Sequence, residues 1–135
     1  LIHTARKVND AKPEWVINKV KIAIADFLQA NPNKTATDVT IACYGLAFKP
    51  DIDDLRESPA LNIAKRISLM HSGRIVAVEP NIDELKIAGV ELIPLEEAKS
   101  LADIHLLLVD HSEFKSISMN SKLIVDTKGI WNFNA

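Results

Sequence analysis

The chain has 135 residues, 47% of them hydrophobic, with 16 basic and 18 acidic side chains and a net charge of −2. That length supports one compact domain with its own core and perhaps a further helix, and the hydrophobic share argues against disorder. The balanced charge gives no electrostatic basis for nucleic acid or an anionic membrane surface as a partner, so an anionic ligand would need a local basic pocket. A single cysteine, Cys43, excludes a disulfide or a cysteine metal site within the chain and fits a reducing, cytoplasmic setting. No apolar run approaches the roughly 20 residues that cross a bilayer, and no signal-peptide pattern is present. The chain opens Leu1-Ile2-His3 without Met, in sequence that reads as mid-helix and as a piece of something longer.

Residues 14–29 predict an amphipathic helix, with Val16, Val20, Ala23, Ile24, Phe27 and Leu28 on one face. Pro13 suits its first turn and should break or kink a helix running in from Leu1. Asn31-Pro32-Asn33 stops it, and the polar residues 30–38 read as a linker. Thr40 to Leu46 then predicts a strand, as do Arg74 to Val78, Ile104 to Val109 and the shorter Leu123 to Val125; Val90 to Ile93 is a weaker candidate. Continuous apolar strands suggest a sheet covered on both faces, hence parallel. Between them, Ser58-Pro59 is a helix start, followed by the stripe Ala60, Ile63, Ala64, Ile67 and Met70. Asn81 with Glu84 resembles a capping box, and Gly89 should end that short helix. The alternation predicts an α/β fold: a doubly wound, mostly parallel, Rossmann-like sheet over residues 38–135, preceded by one long helix.

Ligands of such sheets bind outside the carboxyl ends of the strands. Lys49 leaves the first strand and Lys128 the last, with Arg56 nearby, and together they could bind a pyrophosphate; in isolation, each is more simply a solvated loop cation. The dinucleotide fingerprint G-x-G-x-x-G is absent, because only Gly45 stands in the first loop, so this domain is not expected to be a primary NAD site. The acids Asp51, Asp53 and Asp54 lack the Gly and Glu spacing of a calcium loop and read as turn caps or ion-pair partners. His3, His71, His105 and His111 show no metal-ligand spacing, so no metal site is expected. His105 reads as a packed core residue, while His111, just past a strand, could face the site. Cys43, inside a strand, reads as a structural thiol.

Gly45-Leu46-Ala47-Phe48-Lys49-Pro50, continuing through Asp54-Leu55-Arg56-Glu57-Ser58-Pro59, closely resembles the signature that opens the C-terminal domain of the UDP-glucose/GDP-mannose dehydrogenase family. The resemblance continues through Val78-Glu79-Pro80, Leu108-Val109-Asp110-His111 and Val125-Asp126-Thr127-Lys128-Gly129-Ile130-Trp131, and residues 1–37, with Asn9-Asp10, look like the end of the family's central helical region and a linker. The resemblance implies a part of an NAD-dependent enzyme that oxidises the C6 alcohol of a UDP-sugar to a carboxylate. Phe48, Lys49 and Lys128 would contact the UDP-sugar, and Arg56 would reach an NAD held mainly by an N-terminal domain. It implies a homodimer formed through the central helical region. The family's catalytic cysteine, in a Gly-Gly-rich motif, has no counterpart in these residues, so no catalytic residue is expected here. A signalling receiver domain would share the fold class, but its acids should end strands directly, whereas Lys49-Pro50 intervenes and Val76-Ala77-Val78 runs into Glu79-Pro80. A stand-alone nucleotide-binding module would differ only in what precedes Leu1.

Overall fold

A computed structural model describes residues 2–46, 59–80, 89–115 and 123–127, with side chains from residue 13 onward. Five strands, β1 (Ile41–Tyr44), β2 (Ile75–Val78), β3 (Val90–Leu92), β4 (Ile104–Leu107) and β5 (Ile124–Asp126), form one sheet in the order β3-β2-β1-β4-β5. Every pairing is parallel. All five apolar runs therefore become strands, the weak Val90 run included. Tyr44 stands opposite Val78 on one side and Leu107 on the other, so the exits of the three central strands are level.

Side chains alternate across the sheet. Ile41, Cys43, Ile75, Ala77, Ile104 and Leu106 face one core, and Ala42, Tyr44, Val76, Val78 and Leu107 face the other. The first face is covered by α1 (Ile2–Ala30) and α2 (Pro59–Met70), which bury Val16, Val20, Ala60, Ile63, Ala64 and Ile67. The second is covered by α3 (Leu95–Leu101) and α4 (Ser112–Lys115), through Ala98 and Phe114. These two short helices were not expected from the sequence, although Pro94 followed by Glu96 and Glu97 in the first turn of α3 is a readable start signal.

The helix expected over 14–29 is the C-terminal part of α1, which runs through Pro13 from Ile2. Pro13 removes a backbone donor, yet burial of Val16, Ile17, Val20 and Ala23 against the sheet anchors the helix just beyond it; tertiary packing of this kind outweighs a local helix-breaking residue. α1 lies against β4, β5 and α2. The exposed pair Arg66 Nη2–Glu14 Oε1, 2.6 Å apart, joins the two helices but adds little stability in solvent. α2 begins at Pro59, as its start signal predicts. The polar stretch before β1 carries one 3-10 turn, Ala36–Asp38, in which the Thr35 N–H donates to Asp38 Oδ2. At the entry ends of the strands, Thr40 N–H donates to Asp103 Oδ2 and His71 Nε2 bonds the Val39 carbonyl. The capping-box helix expected after Asn81 lies outside the described residues.

Candidate functional site at the strand exits

The order of the sheet reverses between β1 and β4, since β2 follows on one side of β1 and β4 on the other. In open parallel sheets this reversal opens the crevice that receives ligands. Here its floor is closely tied. The Tyr44 carbonyl accepts from Leu108 N–H at 2.9 Å and Val109 N–H at 3.2 Å, while Gly45 N–H donates to the Val78 carbonyl at 2.8 Å. Gly45 sits at φ +93°, and a Cβ placed on it would lie 2.6 Å from Val109 Cβ. Glycine is therefore required twice, for its backbone conformation and for the close approach of β1 to the chain leaving β4.

One residue on, Leu46 N–H donates to Glu79 Oε1 at 2.8 Å, and the same oxygen meets His111 Nε2 at 2.8 Å. Glu79 is 3% exposed and His111 fully buried. A carboxyl taken out of water persists only when it is hydrogen-bonded, and this one is. His111 packs its ring 5.6 Å from that of Phe114, and its carbonyl accepts the Phe114 N–H, which fixes α4 beneath it. At β5, Thr127 Oγ1 donates to the Leu107 carbonyl at 2.7 Å.

A second buried polar pair lies deeper. Tyr44 Oη and His105 Nδ1 are 2.7 Å apart. Burial pushes the Tyr44 hydroxyl well above its usual range, so it stays protonated and can donate to the ring. Burial also lowers the His105 pKa, against the opposing charge of Asp103, so the neutral imidazole is favoured. His105 is thus the packed core residue that the sequence suggested. Cys43 is buried and its thiol is pushed up to about 12 by burial, which leaves it protonated and inert.

Phe48, Lys49 and Arg56, between β1 and α2, and Lys128, after β5, lie outside the described residues, as do Asp51, Asp53 and Asp54. Their described neighbours are Leu46, Pro59 and Thr127. β1 and β5 are separated by β4 alone, so two strand spacings, roughly 10 Å, divide the exits that precede Lys49 and Lys128. His111, which the sequence allowed to face a ligand, stands at the exit level but points inward onto Glu79. The role of Glu79 was not read from the sequence; the available signal was an acid ending a fully apolar strand just before a proline. Among the described residues, no group of three or more His, Cys, Asp or Glu could hold a metal ion.

In a dinucleotide-binding domain, an acid past the first β-α unit bonds the ribose, and a Gly-rich β1 exit cradles the pyrophosphate. Glu79 ends β2 but is turned inward to Leu46, and Gly45 is the only glycine between β1 and α2. The β1 exit therefore does not fit NAD in that mode. A cleft of about 420 Å³ lies over the exits of β2 and β3, lined by Val78, Glu79, Pro80, Leu92, Ile93, Pro94, Leu95 and Glu113. Its lining among the described residues is mostly apolar, with two acids.

Residues 42–133 match the model of the UDP-glucose/GDP-mannose dehydrogenase family, UDP binding domain. The chain is 53% identical to UDP-N-acetyl-D-mannosamine dehydrogenase of Salmonella typhi, across 97% of this chain and 32% of that protein. It is 44% identical to an NDP-N-acetyl-D-galactosaminuronic acid dehydrogenase of Ralstonia nicotianae, across 98% of this chain and 30% of the relative. Among solved structures, a UDP-N-acetyl-mannosamine dehydrogenase from Staphylococcus aureus superposes with a TM-score of 0.70 at 29% identity, covering 96% of this chain and 30% of that one. The chain thus spans about a third of the length of the curated relatives it matches.

Proposed function

The chain belongs to the UDP-glucose/GDP-mannose dehydrogenase family, and we propose that it is the UDP-sugar-binding part of an NAD-dependent 6-dehydrogenase that converts UDP-N-acetyl-D-mannosamine to UDP-N-acetyl-D-mannosaminuronate for surface polysaccharide synthesis. The observation that carries this reading is 53% identity across 97% of this chain to a relative of that name. Phe48, Lys49 and Lys128 contact the UDP-sugar. Roughly 10 Å between the β1 and β5 exits suits two lysines acting on one extended diphosphate ligand. Arg56, seven residues beyond Lys49 in the sequence, contacts NAD held by another domain of a homodimeric, cytoplasmic enzyme. NAD supplies the hydride acceptor for oxidation at C6. The nucleophile belongs to the rest of the enzyme, since Cys43 is buried and protonated.

Calorimetric titration of the full-length protein tests the division of labour. Loss of one charge-assisted hydrogen bond costs about 1.5–3 kcal/mol, or roughly 10- to 150-fold in affinity. Lys49→Ala and Lys128→Ala should weaken UDP-sugar binding by that factor and spare NAD, and Arg56→Ala should do the reverse. Equal loss of UDP binding in Arg56→Ala and Lys49→Ala, with NAD affinity unchanged, would refute the assignment. Faster turnover of UDP-N-acetyl-galactosamine than of the manno sugar would move the substrate toward the second group of relatives. The 135-residue chain alone, mixed with NAD and UDP-N-acetyl-mannosamine, should show no sustained rise in NADH absorbance.

A further inference from the structure

The acid that ends β2 has left the place where a dinucleotide fold would present it to a ribose. Its carboxyl lies 3% exposed beneath the crevice and holds the backbone of the neighbouring strand's exit. We propose that Glu79 and His111 are a buried positioning pair that sets the geometry of UDP-sugar binding. The idea rests on the reading that the segment after β1 carries the ligand contacts. Leu46, whose N–H the carboxyl holds, stands two residues before Phe48 and three before Lys49.

The pair joins three strand exits at the point where the sheet order reverses. Gly45 is bonded to Val78 at the end of β2, Leu46 to Glu79, and Glu79 to His111, which follows β4 and is packed on Phe114 of α4. Gly45 and Leu46 are thereby held at fixed positions against β2 and the chain leaving β4. Stability alone explains the arrangement poorly. Burying a carboxyl and an imidazole carries a desolvation cost that an apolar pair of similar volume avoids, and such replacements are often neutral or stabilising. What an apolar pair cannot do is accept the Leu46 N–H and so give the exit a direction.

The experiment titrates the full-length protein with UDP by calorimetry and follows thermal unfolding of the same samples. Glu79→Ala and His111→Ala should each weaken UDP binding roughly tenfold or more. Glu79→Gln keeps an acceptor oxygen for Leu46 N–H and should recover most of that affinity. Val20→Ala, which opens a cavity in the apolar core on the other face of the sheet, should lower the melting temperature and leave UDP affinity unchanged; this separates loss of geometry from loss of stability. In the unsubstituted protein, UDP should shift the NMR resonances of the Leu46 amide and the His111 ring, a readout that survives if the alanine variants fail to fold. UDP affinity unchanged in folded Glu79→Ala, or those resonances unmoved by saturating UDP, overturns the positioning role and leaves the functional reading standing. Failure of the unsubstituted protein to bind UDP overturns that reading and the pair's role with it.

Discussion

Toward α1 and α2, the strands present the apolar side chains Ile41, Cys43, Ile75, Ala77, Ile104 and Leu106, in one core with Val16, Val20, Ile63 and Ile67. Toward α3 and α4 the same strands present Tyr44 and His105, hydrogen-bonded to each other, and Tyr44 stacks edge-on against Phe114 at 5.7 Å. Just past the exits, His111 packs on that same Phe114 and holds Glu79. Apolar burial is non-directional: it holds helices against a sheet without dictating where one loop begins. Hydrogen bonds between buried groups are directional and costly to leave unmade. The first face therefore supplies most of the stability, and the second, continuing into the exits, supplies geometry where a ligand would sit.

That contrast can be broken by mutation. Leu106→Ala, on the apolar face, should cost about 2–5 kcal/mol in urea unfolding through transfer and cavity terms, while the fraction that remains folded binds UDP normally. Gly45→Ala, at φ +93° and with its new Cβ 2.6 Å from Val109 Cβ, should cost roughly 2–4 kcal/mol from backbone strain and overpacking. It should also weaken UDP binding, because the exit itself moves. A Gly45→Ala protein with unchanged UDP affinity would show that the floor of the crevice does not govern the ligand.

Smaller effects sharpen the comparison. Tyr44→Phe should cost about 1–3 kcal/mol by leaving a buried ring nitrogen without its hydroxyl partner. The pH dependence has a definite sign. Burial lowers the folded-state pKa of His105 below its ordinary value of 6.5. Between the lowered value and 6.5 the unfolded chain holds more protons. Stability contributed by the neutral ring is thus complete above 6.5 and is lost as pH falls through the folded value. Denaturation midpoints that do not fall on acidification through this window would contradict a buried neutral His105. Cys43 should give the smallest change: no reaction with an aromatic disulfide reagent until the protein unfolds, and about 1 kcal/mol lost in Cys43→Ala.

Much of the fold is legible along the chain. β1, β2 and β4 are continuous apolar runs of the kind a doubly covered parallel sheet accommodates, and Pro59 starts α2 by a local rule. Pro13 misleads because a local rule cannot weigh the burial of Val16, Ile17, Val20 and Ala23 that holds the helix together beyond it. The candidate ligand residues Phe48, Lys49, Arg56 and Lys128 were read from motif and resemblance; the described residues supply only the frame around them.

The sequence by itself determined the strands, their parallel sense and the family, because periodicity, capping and motif are encoded within a dozen or so neighbouring residues. Tertiary structure alone decided the strand order, with β1 at the centre and the reversal at β4. It also decided that Glu79 turns inward to Leu46, 33 positions away, and to His111, 32 positions away. Such partners are chosen by which strand exits become level, and that follows from how the whole sheet packs between its helices, which no local stretch of sequence contains.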